Sequence, residues 1–337
     1  MTTNAAPSRV DQAGQAAVRA EPAVVIDGLS HRYPKADVLA LDDVNLRMAS
    51  GSFTAVLGPN GSGKSTLFRI LTTAVRATGK PGVVPRVTIL GHDLRVGAHA
   101  IRQRLGVVFQ SPSLDSELSV VENLRLQGRV YGMSGSELRR RIPERLEAVG
   151  LSDRAHDRVG TLSGGLARRA ELAKALLHDP RILILDEPST GVDPTARRQF
   201  WQSLEAERRR SGLTVLMTTH LTDEAEAADN VVVLSRGRVV AEGSPAALKA
   251  DSRAVLAVAT RDADALLVIA EDLVERFGGD RLPERVFGEA RIELAEGAAA
   301  LRWVLDEHGG AVRSVTLSEP TLEDVFERTT GTIFTQV

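Results

Sequence analysis

Short apolar runs along this chain alternate with stretches whose apolar positions recur every three or four residues, and that order predicts its architecture. Ala23–Tyr33 and Val44–Met48 show the apolar–polar alternation of half-buried strands. Phe53–Leu57 follows as a strand, and beyond a glycine-rich turn Leu67, Phe68, Ile70 and Leu71 mark the inward face of a helix opening at Lys64. Thr78–Gly82 reads as a loop, Val83–Leu90 as a strand and Leu105–Phe109 as a short buried strand. Ser119–Gly150 predicts a mostly helical stretch that Pro143 kinks or breaks. Helix and strand then alternate: Leu166–Leu177, Arg181–Leu185, Pro194–Arg209 and Leu213–Thr218. Two more strands, Val231–Leu234 and Val239–Ala241, flank a turn at Arg236-Gly237. This order implies a largely parallel sheet covered on both faces, an α/β domain over residues 23–250 with a helical subdomain over about 111–165.

Residues 251–337 read as a separate piece. Ala254–Ala259, Ala290–Leu294 and Val312–Leu317 are strand-like, and each precedes a helical segment: Ala263–Phe277, Ala298–Glu307 and Leu322–Arg328. That pattern predicts a small α+β accessory domain, and no phosphate loop, catalytic dyad or metal cluster stands out in it. No internal repeat is visible.

Composition narrows the function classes. The 337 residues carry a formal net charge of −2, so no basic excess points to nucleic acid as the main partner. The absence of cysteine excludes disulfides, thiol catalysis and cysteine-ligated zinc or iron–sulfur clusters, and fits a reducing compartment. No stretch approaches the ~18 continuous apolar residues of a membrane span. Residues 1–22 hold no hydrophobic run, and their Ala, Gln, Thr and Ser content reads as a disordered tail. The chain is therefore expected to be soluble by itself, with any membrane role exercised through a partner.

The glycine-rich turn carries the chemistry. It reads Gly58-Pro59-Asn60-Gly61-Ser62-Gly63-Lys64-Ser65-Thr66 between an apolar strand and an apolar helix. Glycines at 58, 61 and 63 let successive N–H groups point into one concavity beside the positive end of the helix. Lys64 would reach the β- and γ-phosphates of a nucleoside triphosphate, and the Ser65 hydroxyl would ligate Mg²⁺. A plain glycine turn with a solvated lysine is the bland alternative. At the end of the strand Ile182–Leu185 stand Asp186 and Glu187. Two acids after four apolar residues are costly unless they act at the sheet's edge. Asp186 suits the Mg²⁺ shell, and Glu187 suits the polarisation of a water attacking the γ-phosphate. Taken alone, the pair reads equally well as a cap at a strand end. Ser163-Gly164-Gly165 opens the helix from Leu166 and offers a second anion-binding surface, or else a simple turn and N-cap. Two phosphate-facing surfaces in one chain are one too many for one nucleotide, which a head-to-tail dimer resolves.

With these motifs in this order, the chain resembles the ATP-binding subunit of ABC transporters over about Val24 to Gly243. The resemblance implies a P-loop NTPase fold of the ABC ATPase type, with ATP and Mg²⁺ as cofactors. It implies that Tyr33 stacks on adenine, that Gln110 senses Mg²⁺ and meets the membrane partner, and that His220 contacts the γ-phosphate. Ser189, Gly191 and Asp193 match the loop that crosses the dimer interface. Read without the family, Gln110 is a polar residue leaving a strand and His220 a structural histidine. The chain departs from the pattern at Leu166, where the family most often has Gln. Ser163 and both glycines remain, so the ATP contact is expected to survive, and the change bears on closure or coupling. The loop around Lys80–Pro85 is longer than is usual. Glu319-Pro-Thr-Leu-Glu-Asp-Val-Phe326 resembles the tail of drug-resistance exporter subunits and turns the expectation toward export.

The leading expectation is thus an ATPase on the cytoplasmic face of the cell membrane, peripheral to a membrane-spanning permease. It would work as a homo- or heterodimer with a second ATP-binding subunit, without nucleic acid, and its stretch Ser113–Gly150 would offer a groove to the permease. The alternative is a soluble ABC-type ATPase acting on DNA or the ribosome. DNA-repair relatives carry a long coiled coil between the two phosphate-facing motifs, and no sustained heptads separate Lys64 from Ser163 here. Translation-factor relatives carry two ATPase units in one chain, and this chain carries one. A catalytically silent nucleotide-binding module fits less well, because Lys64, Asp186, Glu187 and His220 are all present.

Overall fold

The computed structural model describes residues 21–80, 84–250, 252–282 and 288–334. The tail expected over 1–22 lies, as far as residue 20, outside the described residues, as do 81–83 of the Lys80–Pro85 loop. The chain divides into two compact units. The first holds the described residues of Met1–Thr54 and Gly63–Thr218, and the second those of Ala55–Ser62 and Thr219–Val337.

In the first unit β1 (Pro22–His31) pairs antiparallel with β2 (Leu41–Ala49). Along β2 the buried Leu41, Val44, Leu46 and Met48 are spaced by exposed Asp43, Asn45 and Arg47. The strand therefore has one core face and one wet face. After β3 (Phe53–Leu57), where the chain passes into the second unit, come α1 (Lys64–Leu71), β4 (Arg86–Ile89), β5 (His92–Asp93) and α2 (Ala98–Arg102). β4 pairs antiparallel with both β1 and β5. The expected parallel sheet is present further along the chain, but β2, β1, β4 and β5 stand outside it and form an antiparallel sheet of their own. The strand expected over Val83–Leu90 is shorter, and Val83 lies outside the described residues.

β6 (Leu105–Val108) begins the parallel part. Two helices follow, α3 (Val120–Val130) and α4 (Gly135–Ala148), capped by Ser119 and Ser134. Ser119 accepts from Glu122 N while the Glu122 carboxylate accepts from Ser119 N, a reciprocal pair that fixes the helix start. The helical stretch breaks at Gly132, whose φ of 74° no side chain with a Cβ adopts readily, and not at Pro143. Pro143 sits inside α4. The hydrogen bond it forfeits is offset by the packing of its neighbours Ile142 and Leu146, both buried. Next come α5 (Gly164–Leu176), β7 (Ile182–Asp186), α6 (Pro194–Ser211) and β8 (Thr214–Thr219). β6, β7 and β8 run parallel, and every residue of β7 and β8 is buried, as strands covered on both faces require.

In the second unit the short α7 (Thr222–Ala225) precedes β9 (Asn230–Ser235) and β10 (Arg238–Gly243). Arg236 and Gly237, both at positive φ, make the two-residue turn that suits the twist of this hairpin. Beyond α8 (Pro245–Ala250) lie β11 (Ala254–Thr260), α9 (Ala263–Phe277), β12 (Gly279–Leu282), β13 (Glu289–Leu294), α10 (Gly297–His308), β14 (Val312–Ser318) and α11 (Leu322–Thr330). The antiparallel sheet, in order β12-β13-β11-β14, shares a core with α9 and α10 built on Leu256, Ile269, Leu273, Ile292 and Val304. The polar strand β12 carries too little apolar periodicity to be visible in the sequence.

Within this sheet Arg291 is 5% exposed and donates to Glu327 Oε2 at 2.6 Å and to Asp324. Removing a buried cation strands two buried carboxylates, at a cost of about 3–5 kcal/mol. Arg291→Ala is expected to lower the thermal midpoint of the full chain by several degrees. Melting followed by circular dichroism checks this, and an unchanged midpoint would contradict it.

Candidate functional site

The first unit gathers the acidic pair, the loop lysine and Gln110. Lys64 Nζ lies 3.6 Å from Glu187 Oε1, with side-chain exposures of 4% and 8%. Gln110 Nε2 donates to the other oxygen of Glu187 at 3.1 Å, and Thr190 Oγ1 donates to the same oxygen at 3.4 Å. Glu187 stands at φ 44°, just past the end of β7, and its N–H donates to the Thr218 carbonyl of β8 at 3.0 Å. A non-glycine residue held there bears backbone strain of order 1–3 kcal/mol, which surrounding structure must over-determine. Asp186 accepts from the Thr218 hydroxyl.

Burial governs the electrostatics. It lowers the pKa of the Lys64 ammonium, while the charge and hydrogen bond of Glu187, and the charge of Asp186, work the other way. It raises the pKa of the Asp186 carboxyl, helped by the charge of Glu187 and opposed by the Thr218 hydroxyl and Lys64. The site therefore holds a cation and two acids out of water in one cluster.

Sequence reasoning missed the residue that fixes this geometry. Arg168 of α5 is 8% exposed and donates to the carbonyls of Phe109 and Pro188, each at 2.5 Å, and to those of Asp186 and Glu187 at 3.4 and 3.3 Å. Three residues on, Glu171 accepts from Ser113 N and Oγ at 2.5 Å and from Leu114 N at 3.0 Å. One helix thus grips the chain on both sides of Gln110. The available signal was the pair of charges lying in the apolar stripe of α5.

Ser163 caps α5: its exposed hydroxyl accepts from Leu166 N at 3.4 Å. A Cβ on Gly165 would stand 2.1 Å from the Ala196 Cβ, so this glycine lets α5 approach α6, whereas Gly164 opens onto free space. Asp193 caps α6 by accepting from Thr195 N and Ala196 N at 3.0 Å. Tyr33 is half-buried, its ring edge-on to His31 at 4.7 Å and its hydroxyl 3.4 Å from Thr66 Oγ1.

The second unit holds the first half of the loop and His220. A Cβ on Gly58 would fall 2.3 Å from the Leu234 carbonyl oxygen and 2.6 Å from Ser62 Oγ. Only glycine fits. Gly61 takes a φ of 79°, and Gly63, with which the chain re-enters the first unit, one of 109°. The Ser62 carbonyl accepts from Gly237 N at 2.8 Å, while its buried hydroxyl has no hydrogen-bond partner among the described residues. His220 follows β8 and is 9% exposed.

In the second unit a turn closed to any Cβ at Gly58 and an orphaned buried hydroxyl, and in the first a buried ammonium, each fit a polyphosphate with its cation. Among the described residues no group of three or more His, Cys, Asp or Glu could hold a metal by itself. One carboxylate, Asp186, and the exposed Ser65 hydroxyl match the sparse protein shell of Mg²⁺, which phosphate oxygens complete.

Comparison with known proteins agrees. The family model described as ABC transporter matches residues 41–190. The daunorubicin resistance ATP-binding protein DrrA3 of Streptomyces coeruleorubidus is 37% identical over 320 residues, 93% of this chain and 97% of that protein. A Nod factor export ATP-binding protein I of Rhizobium sp. (strain N33) is 38% identical over 91% of this chain and 97% of its own length. Among solved structures, cbiO1 of Clostridium perfringens, part of the ABC transporter complex cbiONQ, is 26% identical with a TM-score of 0.62, covering 76% of this chain and 95% of its own. A dimeric ATP-binding cassette in a post-hydrolysis state with ADP and Pi is 29% identical with a TM-score of 0.59, over 66% and 98% of the two chains. Among the described residues no helix is long and apolar enough to cross a membrane.

The raised pKa of Asp186 has a testable consequence. Its folded value lies above its unfolded one, so the stability it contributes is complete below the unfolded pKa and is lost as pH rises through the folded value. Asp186→Asn is therefore expected to raise the melting temperature of the nucleotide-free chain at pH 7 to 8, with the gain vanishing toward pH 4. A gain that is absent at pH 7 to 8, or that grows on acidification, would contradict the argument.

Proposed function

Because the chain belongs to the family of ABC transporter ATP-binding subunits, we propose that its ATP hydrolysis drives export through a separate membrane-spanning permease. The observation that carries this reading is the buried Lys64–Glu187 pair, with Gln110 on the other oxygen of Glu187. Backbone N–H groups at the start of the helix opening at Lys64 and the Lys64 ammonium hold the β- and γ-phosphates. Ser65, Asp186 and Gln110 would hold Mg²⁺, which when bound neutralises charge on the phosphate oxygens. Tyr33 takes the adenine face. Glu187 accepts a proton from the attacking water as its oxygen bonds to the γ-phosphorus and the bond to the bridging oxygen of ADP breaks. His220 contacts the γ-phosphate being transferred.

Ser163, Gly164 and Gly165 offer a hydroxyl and the free N–H groups of a helix start, and in this reading they face the nucleotide of a second subunit. Two ATP molecules then close the dimer, and hydrolysis lets it part. Differential affinity of ATP for the closed state moves the permease. Relatives named for daunorubicin resistance and Nod factor export support the outward direction. Placement on the cytoplasmic face of the membrane follows from the need for a permease.

Glu187→Gln tests the assignment. The amide oxygen can still accept from Gln110 and Thr190 and the side chain keeps its size, while the base and its pairing with Lys64 are removed. ATP binding is expected to persist, turnover to fall about 10²–10⁴-fold, and the ATP-bound dimer to outlast that of the wild type in size-exclusion chromatography. Turnover at the wild-type rate would overturn the role of Glu187.

A further inference from the structure

The turn after β8 carries His220, and bonds within the second unit define it. Gly58 N donates to the Thr219 carbonyl at 3.3 Å, so the start of the phosphate loop and the residue before His220 are in contact. The Thr219 hydroxyl accepts from Leu221 N at 2.9 Å and donates to Glu224 Oε2 at 2.5 Å. The next hold comes from far along the chain. Thr222 Oγ1 donates to Glu323 Oε1 at 3.2 Å, across 101 positions. Glu323 lies on α11, and the following residues of that helix are fastened to the accessory sheet: Asp324 and Glu327 to Arg291 of β13, and Glu327 also to Phe334 N at 3.3 Å. α11 packs on α8 and β10 as well as on β12. A continuous series of bonds thus runs from the C-terminal sheet to the residue two places beyond His220.

We propose that Glu323 is a positioning residue for His220, and that through it the C-terminal α+β segment sets the rate of ATP turnover without touching the nucleotide. The inference rests on the reading of His220 as a γ-phosphate contact. α7 has four residues, too few to hold itself as an isolated helix, so its position comes from tertiary bonds. A hydroxyl donating to a carboxylate is a charge-assisted bond, the stronger kind. When it is lost, the turn relaxes and His220 drifts, and a displacement near 1 Å at a reacting group costs up to about 10²-fold in rate. The bond needs an acceptor oxygen, which a glutamine side chain also supplies, so Glu323→Gln separates positioning from mere charge.

The test is steady-state ATPase kinetics on the full chain, with nucleotide affinity measured by a fluorescent ATP analogue. Glu323→Ala is expected to lower kcat about tenfold, the scale of one charge-assisted hydrogen bond, and to leave KM within about twofold. Glu323→Gln, which keeps an acceptor oxygen without its charge, should recover most of that loss. Thr222→Val should match Glu323→Ala, and the double variant should fall no further than either single change. Wild-type kcat in Glu323→Ala, an equal loss in Glu323→Gln, or multiplied losses in the double variant would each overturn the proposal. If Glu323→Ala fails to fold, Thr222→Val and Glu323→Gln decide alone. His220→Ala keeps the two readings apart. Normal turnover there defeats the role of His220 itself, whereas its loss beside an active Glu323→Ala defeats only the positioning role.

Discussion

A lysine and a glutamate withdrawn from water beside a second acid would be ruinous in a core without pairing, and the arrangement around Lys64, Asp186 and Glu187 is best understood as the means of tolerating it. Lys64 and Glu187 neutralise each other at 3.6 Å. Gln110 and Thr190 satisfy the far oxygen of Glu187, and the Thr218 hydroxyl satisfies Asp186. Buried ion pairs rarely add much stability, because desolvation consumes most of the attraction. Their presence here is explained by what the chain binds: a polyphosphate and a divalent cation demand charges of both signs, already oriented, where water is scarce.

The parallel strands β6, β7 and β8 put Gln110, Asp186–Glu187 and Thr218 at the same end of one ladder. α5 then ties them together, with Arg168 on the carbonyls of Phe109, Asp186, Glu187 and Pro188 and Glu171 on Ser113. That helix starts at Ser163. In the proposed function a nucleotide pressing on Ser163 therefore presses on the same rigid element that fixes Gln110 and Glu187 in its own chain.

Much of this was legible in residue order. The strands β7 and β8, the helices α1, α6 and α9, and the sheet-and-helix order of residues 251–337 follow from apolar periodicity with errors of a few residues at the ends. Local rules failed where long-range packing decided. Pro143 reads as a breaker, yet α4 runs through it because Ile142 and Leu146 are buried on either side. β1, β2 and β4 are legible as strands, but their antiparallel pairing is not, and the two-residue β5 is too short to show in the sequence, because strand direction is set by partners distant in sequence. Lys64, Ser65, Asp186 and Glu187 are visible because their spacing repeats a known chemistry, while Arg168 and Glu323 are not, since each acts through carbonyls or a hydroxyl far from it along the chain.

The central claim is that one chain's phosphate loop is completed by the Ser163 turn of another, and a mixing experiment tests it directly. Lys64→Ala disables the loop and Ser163→Arg disables the turn, so each variant alone should be inactive. Mixed in equal amounts, they form dimers in which one site pairs the intact loop of the Ser163→Arg protomer with the intact turn of the Lys64→Ala protomer. ATPase activity should then reappear on mixing, at a fraction of the wild-type rate that rises with protein concentration. A mixture as inactive as its components, under conditions where wild-type subunits dimerise with ATP, would contradict the account.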